Sequence, residues 1–242
     1  MTILHGLFGA GGNWHTLSRS VFADFRHVVV PDLRNHGQSP HSSRMDYESM
    51  AADVEEVWDR LDLPVSDLVG HSMGGKVAMQ LALTVPERVS RLVVVDIAPR
   101  SYPASHLDVI KALRGAKPGE KASRREVEDA LSLHIPNRAV RQFLLKNLRR
   151  TSAGSYEWTV NLDDIEGNYD RISGGLSALT TYDGPALFIR GGRSDYIQDD
   201  DYQVIRAYFP AAEVVTIPEA SHWVHAEAQE AFGELVSEFL QR

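Results

Sequence analysis

A serine stands between two glycines where a predicted strand runs into a predicted helix. Residues 70–74 read Gly-His-Ser-Met-Gly, which puts Ser72 at the centre of a G-x-S-x-G pattern. Between a strand and a helix, this pattern holds the serine in a strained turn and exposes its hydroxyl at the carboxyl edge of a sheet. The alternative is a glycine-rich turn with an incidental serine. The flanking elements favour Ser72 as a nucleophile for acyl transfer.

A serine hydroxyl needs a base that accepts its proton, and histidine titrates in the useful range. Ten histidines compete for this role. His222 lies in the loop Pro-Glu-Ala-Ser-His-Trp (218–223), which follows the last predicted strand at the same sheet edge. We predict that His222 is the base. His225, at the start of the final predicted helix, is the alternative.

Acyl transfer also needs hydrogen-bond donors for the developing oxyanion, and backbone amides are the expected source. One should be the amide of Met73, the residue after the nucleophile. The other should be the amide of Leu7, in the loop His-Gly-Leu-Phe-Gly (5–9). His5 is better explained as holding this loop by hydrogen bonds than as a second base.

Metal and cofactor sites find little support in the sequence. Asp32 and His36 lie in a polar segment and could in principle bind a metal ion, but no third ligand accompanies them at a defined spacing. We therefore expect a polar turn near the site and no metal. The absence of cysteine excludes disulfides, thiolate ligands and a cysteine nucleophile.

The elements that must position these residues alternate between short β-branched runs and amphipathic helical stretches, which is typical of β-α-β units and a parallel sheet. Strands are predicted at 2–4, 27–30, 67–70, 92–96, 186–190 and 213–217, and helices at 14–22, 47–61, 75–85 and 227–240. Asp46 is the predicted N-cap of the second helix, and Trp58 on its apolar face is predicted to be core.

Strand character nearly disappears from residue 102 to about 182. Charged helical segments are predicted there instead, at 105–115, 124–134, 137–150 and 162–172. The fold class is therefore α/β, with a discontinuous core of residues 1–100 and 183–242 and a helical cap of residues 101–182.

Composition narrows the classes of partner. The chain of 242 residues has a net charge of -8, so it presents no basic field for nucleic acid. No apolar run approaches the length of about 20 residues that spans a membrane. The N-terminus has no basic segment followed by an apolar one, so we expect no signal peptide and a cytoplasmic location.

Six segments resemble the YbfF-type bacterial esterases and their mitochondrial relatives within the α/β-hydrolase superfamily. These segments are 5–9, 32–39, 70–76, 95–99, 188–192 and 222–227, spread over nearly the whole chain. The resemblance implies a sheet of the eight-stranded type with a helical cap. It also implies cofactor-free hydrolysis of short- to medium-chain esters or acyl-CoA thioesters. Family members usually have two strands before the one that enters the His-Gly loop, where this chain begins.

The carboxylate partner of the histidine has two candidates. In the commonest version of the fold, the acid lies three residues beyond a glycine that ends the strand after the cap. Counting from Gly191 gives Ser194, and Asp195 fits only if the turn contains a bulge. Asp96 ends the predicted strand 92–96 beside the nucleophile, and the resemblance assigns the matching aspartate this role. We predict Asp96, with Asp195 as the alternative.

Apolar side chains near these loops are candidates for the substrate pocket: Phe8, Phe143, Trp158 and Trp223. The alternative for Phe143 is that it merely packs the cap onto the core. The expected partner is a small acyl ester. Alternative functions with the same triad are carbon–carbon bond hydrolysis and perhydrolysis, and an alternative of another class is a receptor that binds a ligand without turnover.

Overall fold

The computed structural model describes residues 1–176 and 180–242. Within them, the strands are β1 (Thr2–Leu4), β2 (Ser66–His71), β3 (Val89–Val95), β4 (Leu148–Arg150), β5 (Tyr156–Trp158), β6 (Ala186–Gly191) and β7 (Ala212–Ile217). Five of these form a parallel sheet in the order β1-β2-β3-β6-β7, and β4 pairs with β5 in an antiparallel hairpin. The parallel sheet confirms the predicted fold class.

The described helices follow in chain order. They are α1 (His15–Ser20), α2 (Tyr47–Arg60), α3 (Met73–Thr84), α4 (Leu107–Gly115), α5 (Arg124–Ser132), α6 (Arg138–Leu144), α7 (Leu162–Gly167), α8 (Tyr169–Ser173), α9 (Asp201–Tyr208), α10 (Val224–Glu227) and α11 (Gln229–Gln241). Across the described residues, none of them combines the length and apolarity that crossing a membrane requires.

The sheet is buried on both faces, as a parallel sheet flanked by helices must be. Alternate residues of one strand point to opposite faces, so Val93 packs with the side chains of α1 and α11, whereas Val94 packs with those of α2 and α3. Trp58 is fully buried on the second face and donates from Nε1 to Thr2 Oγ1 (2.8 Å). Asp46 accepts from the amide of Ser49 (2.8 Å), which confirms it as the N-cap of α2.

The chain between β3 and β6 contains α4 to α8 and the β4–β5 hairpin. The helices α7 and α8 are separated at Asn168. The side-chain nitrogen Nδ2 of Asn168 donates to the backbone oxygen of Asp164 (2.8 Å). A side chain that bonds to nearby backbone competes with the helical ladder. The single helix predicted at 162–172 is therefore two helices.

Two further predictions are wrong. At 27–30 the structure has only a bridge between Thr2 and Val29. β1 is short, and Pro31 has no N–H with which to continue a ladder, so no full strand forms there. The helix predicted at 137–150 ends at Leu144. The side-chain nitrogen of the buried Asn147 donates to the backbone oxygen of Leu144 (3.2 Å), which competes with further helical hydrogen bonds, and the chain then enters β4.

The main sheet is also smaller than the resemblance implies. In the described ranges it has five strands rather than eight, and it begins at β1. The strands that carry Ser72, Asp96 and His222 to one edge are all present: β2 precedes Ser72, β3 precedes Asp96, and β7 precedes the loop with His222.

Candidate active site

Ser72 occupies a sharp turn between β2 and α3. Its backbone has φ 53° and ψ −120°, a conformation that costs energy for a residue with a side chain. The flanking glycines make the turn possible: a Cβ on Gly70 would lie 2.2 Å from Gly74 O, and a Cβ on Gly74 would lie 2.5 Å from Leu4 O. The serine hydroxyl is thus held at the carboxyl edge of the sheet, where parallel-sheet enzymes bind ligands.

A continuous chain of hydrogen bonds joins three predicted residues. The Ser72 hydroxyl lies 3.0 Å from Nε2 of His222, and Nδ1 of His222 lies 2.8 Å from Oδ2 of Asp96. Since an ionised carboxylate only accepts hydrogen bonds, Nδ1 carries the proton and Nε2 can accept from Ser72. The geometry is that of a nucleophile, a base and the carboxylate that orients the base.

Asp96 is fully buried at the end of β3, with φ 52°. Its Oδ1 accepts from the amide of Gly191 (2.9 Å), and its Oδ2 accepts from His222 and from the hydroxyl of Ser194. Asp195, the alternative acid, is exposed. Of the two candidate acids, Asp96 is the one that contacts His222 Nδ1.

Two aromatic neighbours, which the sequence analysis did not identify, fix the orientation of His222. The ring of Tyr196 stacks on the imidazole with centroids 3.8 Å apart and planes at 17°. His71 donates from Nε2 to the backbone oxygen of His222 (2.9 Å), and burial holds the pKa of His71 well below its usual value. His71 is visible in the sequence as the neighbour of Ser72, but Tyr196 has no comparable signal.

The loop that contains Leu7 lies against Ser72. A Cβ on Gly6 would lie 3.2 Å from Ser72 Cβ, so the backbone at this position is adjacent to the Ser72 side chain. The amides of Phe8 and Gly9 already donate, to His36 Nε2 (3.2 Å) and to Gly6 O (2.9 Å). Because those two amides are already engaged, the amide of Leu7 is the candidate oxyanion donor in this loop.

Neutral histidines hold this loop. His5 donates from Nδ1 to Gly6 O (2.9 Å) and accepts at Nε2 from the amide of Leu33 (2.9 Å). His36 accepts from Phe8 and donates from Nδ1 to Arg34 O (2.9 Å). Burial, with a smaller effect from neighbouring His5, lowers the pKa of His36 to about 3. The two hydrogen bonds of His5 join the loop at Gly6 to the segment at Leu33, as predicted for a residue that holds this loop.

Asp32, the other candidate ligand, accepts from the amides of Gly11 (2.7 Å) and Gln38 (2.8 Å). Its carboxylate and the His36 ring thus join neighbouring loops, as expected of a polar turn. In the part of the chain that the structure describes, no group of three or more potential ligand side chains is placed to hold a metal ion. His225, the alternative base, is buried and stacks on Trp14 (4.2 Å between centroids).

Two cavities meet at Ser72. The larger, of about 280 Å³, is lined mainly by apolar side chains, among them Phe8, Val109, Val140, Phe143, Leu144 and Trp223. The smaller cavity is lined by Lys76, Tyr102 and Tyr169 together with apolar side chains, and His106 borders both cavities. Leu7 and Tyr196 border both cavities, whereas Met73 borders the smaller one.

Three of the four predicted pocket residues therefore lie where the sequence analysis expects them. Phe143 faces Trp223, with ring centroids 5.6 Å apart. Trp158 is elsewhere: it lies in β5 and donates from Nε1 to Leu113 O (2.9 Å), which anchors the hairpin on α4. The residues that line the two cavities do not include Trp158, because the predicted helix that preceded it ends early and the chain turns into a hairpin.

Residues 1–229 match the family described as the alpha/beta hydrolase fold, and the chain belongs to that family. The sn-1-specific diacylglycerol lipase ABHD11 of Danio rerio is 43% identical over 249 residues, covering 100% of this chain and 78% of the relative. Esterase YbfF of Escherichia coli (strain K12) is 33% identical over 241 residues, covering 99% of this chain and 92% of the relative.

A solved structure described as a marine microorganism esterase is also similar. It superposes with a TM-score of 0.96 at 42% identity and covers 98% of this chain and 94% of its own. These comparisons confirm the resemblance found in the sequence. The chain is a hydrolase that acts on esters.

Proposed function

We propose that the enzyme cleaves carboxylic esters through an acyl-enzyme on Ser72, with His222 as the base and Asp96 as its carboxylate partner. The observation that carries this proposal is the unbroken set of hydrogen bonds from Asp96 through His222 to the Ser72 hydroxyl. The strained backbone of Ser72 supports it, because such strain concentrates at functional residues.

In the first half of the reaction, Ser72 Oγ attacks the carbonyl carbon while its proton passes to His222 Nε2. The carbonyl oxygen becomes an oxyanion, for which the amides of Leu7 and Met73 are the proposed donors. The tetrahedral intermediate then breaks its bond to the alkoxide, which takes the proton from His222. Water repeats the sequence on the acyl-enzyme and releases the acid.

Asp96 keeps its negative charge throughout. Its contact with Nδ1 fixes the tautomer in which Nε2 can accept a proton, and it stabilises the imidazolium that forms. The buried carboxylate is held in place by three hydrogen-bond donors, which belong to Gly191, Ser194 and His222.

The larger cavity supports acyl chains of short to medium length as the substrate class. Its volume of about 280 Å³ lies just below the range of about 300–1,000 Å³ usual for sites that enclose drug-sized ligands. Its apolar lining favours a hydrocarbon chain. Carboxylic esters and acyl-CoA thioesters share the reacting carbonyl, so both leaving groups are included in the proposal.

We further propose that residues 101–182 act as a cap on a core of residues 1–100 and 183–242. Val109 from α4 and Val140, Phe143 and Leu144 from α6 border the cavity that contains Ser72. The inserted segment would thereby set the choice of acyl chain, while the core carries the reacting groups.

A panel of p-nitrophenyl esters and acyl-CoA thioesters of increasing acyl length tests this function. We expect repeated turnover with an optimum at short to medium chains, and Ser72→Ala should lower kcat by about 10⁴- to 10⁶-fold. At most one slow turnover per protein would indicate a ligand receptor instead. Inactivity toward every member of the panel would contradict the proposed substrate class.

A further inference from the structure

The smaller of the two cavities at Ser72 contains a buried lysine that takes no part in the proposed acyl transfer. Lys76 lies in the first turn of α3, and its amide donates to the backbone oxygen of Ser72 (3.1 Å). Residues four apart on a helix are neighbours on one face, and both Ser72 and Lys76 border the smaller cavity. Lys76 is only 1% exposed.

The ammonium group of Lys76 is incompletely paired. It donates to the backbone oxygen of Gly174 and lies over the rings of Tyr102 and Tyr47, at 4.8 Å and 5.4 Å from their centroids. Within residues 1–176 and 180–242, no carboxylate forms an ion pair with it. Since an ammonium group carries three N–H donors, two are left without a protein acceptor in these ranges.

The hydroxyls beside this ammonium group have already used their protons. Tyr47 donates to the backbone oxygen of Ile172, and Tyr102 donates to that of Tyr196 (2.6 Å). Among the described residues that line the smaller cavity, none is an aspartate or glutamate, and Lys76 is the one lysine or arginine. The charge that this cavity offers to a ligand is therefore positive.

A second cation in this region is already paired. Arg100 lies over the ring of Tyr102, 4.1 Å from its centroid, and its guanidinium contacts Asp201 (2.6 Å). Burial, with a smaller effect from Arg100, lowers the pKa of Lys76 to about 7. Burial disfavours the charged form of a lysine, and an anion beside it offsets that effect. An anionic group in the cavity would thus complete the environment of Lys76.

The size and position of the smaller cavity define the group that it can take. Its volume is about 40 Å³. A water molecule needs about 10–15 Å³ of such space, so about three non-hydrogen atoms fit, which is the size of a carboxylate group. The larger, apolar cavity is the proposed site of the acyl chain. The smaller one is then left for the other substituent of the reacting carbonyl, which is the leaving group.

We propose that Lys76 binds a carboxylate on the leaving group, so that acyl esters of small hydroxy acids are the preferred substrates. This inference rests on the proposed function. The bond between the acyl carbon and the ester oxygen breaks, and the hydroxy acid leaves with the proton from His222 and with its carboxylate unchanged. Water then releases the acyl group from Ser72 as a carboxylic acid.

Two esters with equal numbers of non-hydrogen atoms test this specificity: butanoyloxyacetate, which carries a carboxylate, and butanoyloxyacetamide, which carries a neutral amide. The ratio of their kcat/KM values is measured at neutral pH in the wild type and in Lys76→Met, which removes the charge. Because hydrogen bonds to charged groups are among the stronger ones, the ratio should fall by about ten-fold or more in Lys76→Met. Lys111→Met changes an exposed lysine of α4 and should keep the wild-type ratio.

An unchanged ratio in a folded Lys76→Met enzyme would overturn the proposal. A purely structural role of Lys76 would give that result, with a lower thermal midpoint and an equal loss of kcat/KM for both esters. If Lys76→Met does not fold, competition in the wild type decides. Glycolate should inhibit hydrolysis of p-nitrophenyl butanoate at a concentration about ten-fold lower than glycolamide does. Equal inhibition by both, or inhibition by neither, would overturn the proposal.

The wild-type enzyme separates this inference from the proposed function. Its failure to hydrolyse any ester would contradict the proposed function. A wild type that hydrolyses esters, with the same ratio as Lys76→Met, would contradict only the role of Lys76.

Discussion

At the scale of single residues, the acid that pairs with His222 lies at the end of β3 and not in the turn after β6. Asp96 is buried and lies 2.8 Å from the imidazole, whereas Asp195 is exposed. A one-residue step in a tight turn points a side chain in a different direction, and here that step separates the buried Ser194 from Asp195.

Asparagine at each site tests this assignment with little change in volume. Asp96→Asn should lower kcat by about 10⁴-fold, because His222 loses its tautomer and its counter-charge. Asp195→Asn is the matched control and should keep most of the wild-type rate. Both are compared by kcat on one p-nitrophenyl ester, and the reverse ranking at unchanged thermal midpoints would contradict the assignment.

Residues with a sequence signature could be predicted, and those without one could not. Ser72 is marked by its flanking glycines, and His222 by its place after the last strand. Tyr196 stacks on His222 only because the turn after β6 folds back over the loop after β7. No spacing in the sequence encodes that contact. Ser194 could be located by counting from Gly191, but its role as a donor to Asp96 emerged only from the side-chain geometry.

At the scale of elements, strands and helices with strong periodicity were predictable, and those decided by local hydrogen bonds were not. The pattern in α2 is clear because its apolar face packs on the sheet. By contrast, Asn147 and Asn168 end helices through bonds to nearby carbonyls, which a helical pattern of charged residues conceals. Because the helix predicted at 137–150 ends early, Trp158 lies in the β4–β5 hairpin and not in the cavity where it was predicted.

The inserted helix α6 supplies the next prediction. Phe143 borders the larger cavity, so Phe143→Ala should lengthen it and shift the optimum toward longer acyl chains. Each added methylene that becomes buried should raise kcat/KM by about three- to four-fold, from about 0.8 kcal/mol per group. The profile of kcat/KM against acyl length measures this shift.

Trp158→Phe is the control for that experiment, since it changes an aromatic side chain of the same inserted segment outside the cavity. Its chain-length profile should match that of the wild type. An unchanged profile in a folded Phe143→Ala enzyme would mean that Phe143 only packs the inserted segment onto the core.

At the scale of the whole molecule, buried neutral histidines link the loops around the site and should make stability sensitive to acid. Burial lowers the pKa of His36 to about 3, whereas histidine in an unfolded chain titrates near 6.5. Between these values the unfolded chain binds a proton that the folded chain does not. The contribution of His36 to the free energy of unfolding is therefore fully present above about pH 6.5, and it is lost as the pH falls toward 3.

His36→Gln removes this titration and should make the loss of unfolding free energy shallower by up to about 1.4 kcal/mol per pH unit. The measurement is a series of urea denaturation curves between pH 7.5 and 4.5. His134→Gln, which changes an exposed histidine, should follow the wild-type slope. A His36→Gln slope equal to that of the wild type would show that His36 takes no part in the acid sensitivity.

The central claim is that Ser72, activated by His222, forms the covalent intermediate. A fluorophosphonate probe reacts with an activated serine nucleophile, and mass spectrometry of the digested protein locates the adduct. We predict a single adduct on Ser72 in the wild-type protein and none in Ser72→Ala. An adduct on another residue, or full labelling of Ser72→Ala, would contradict the account.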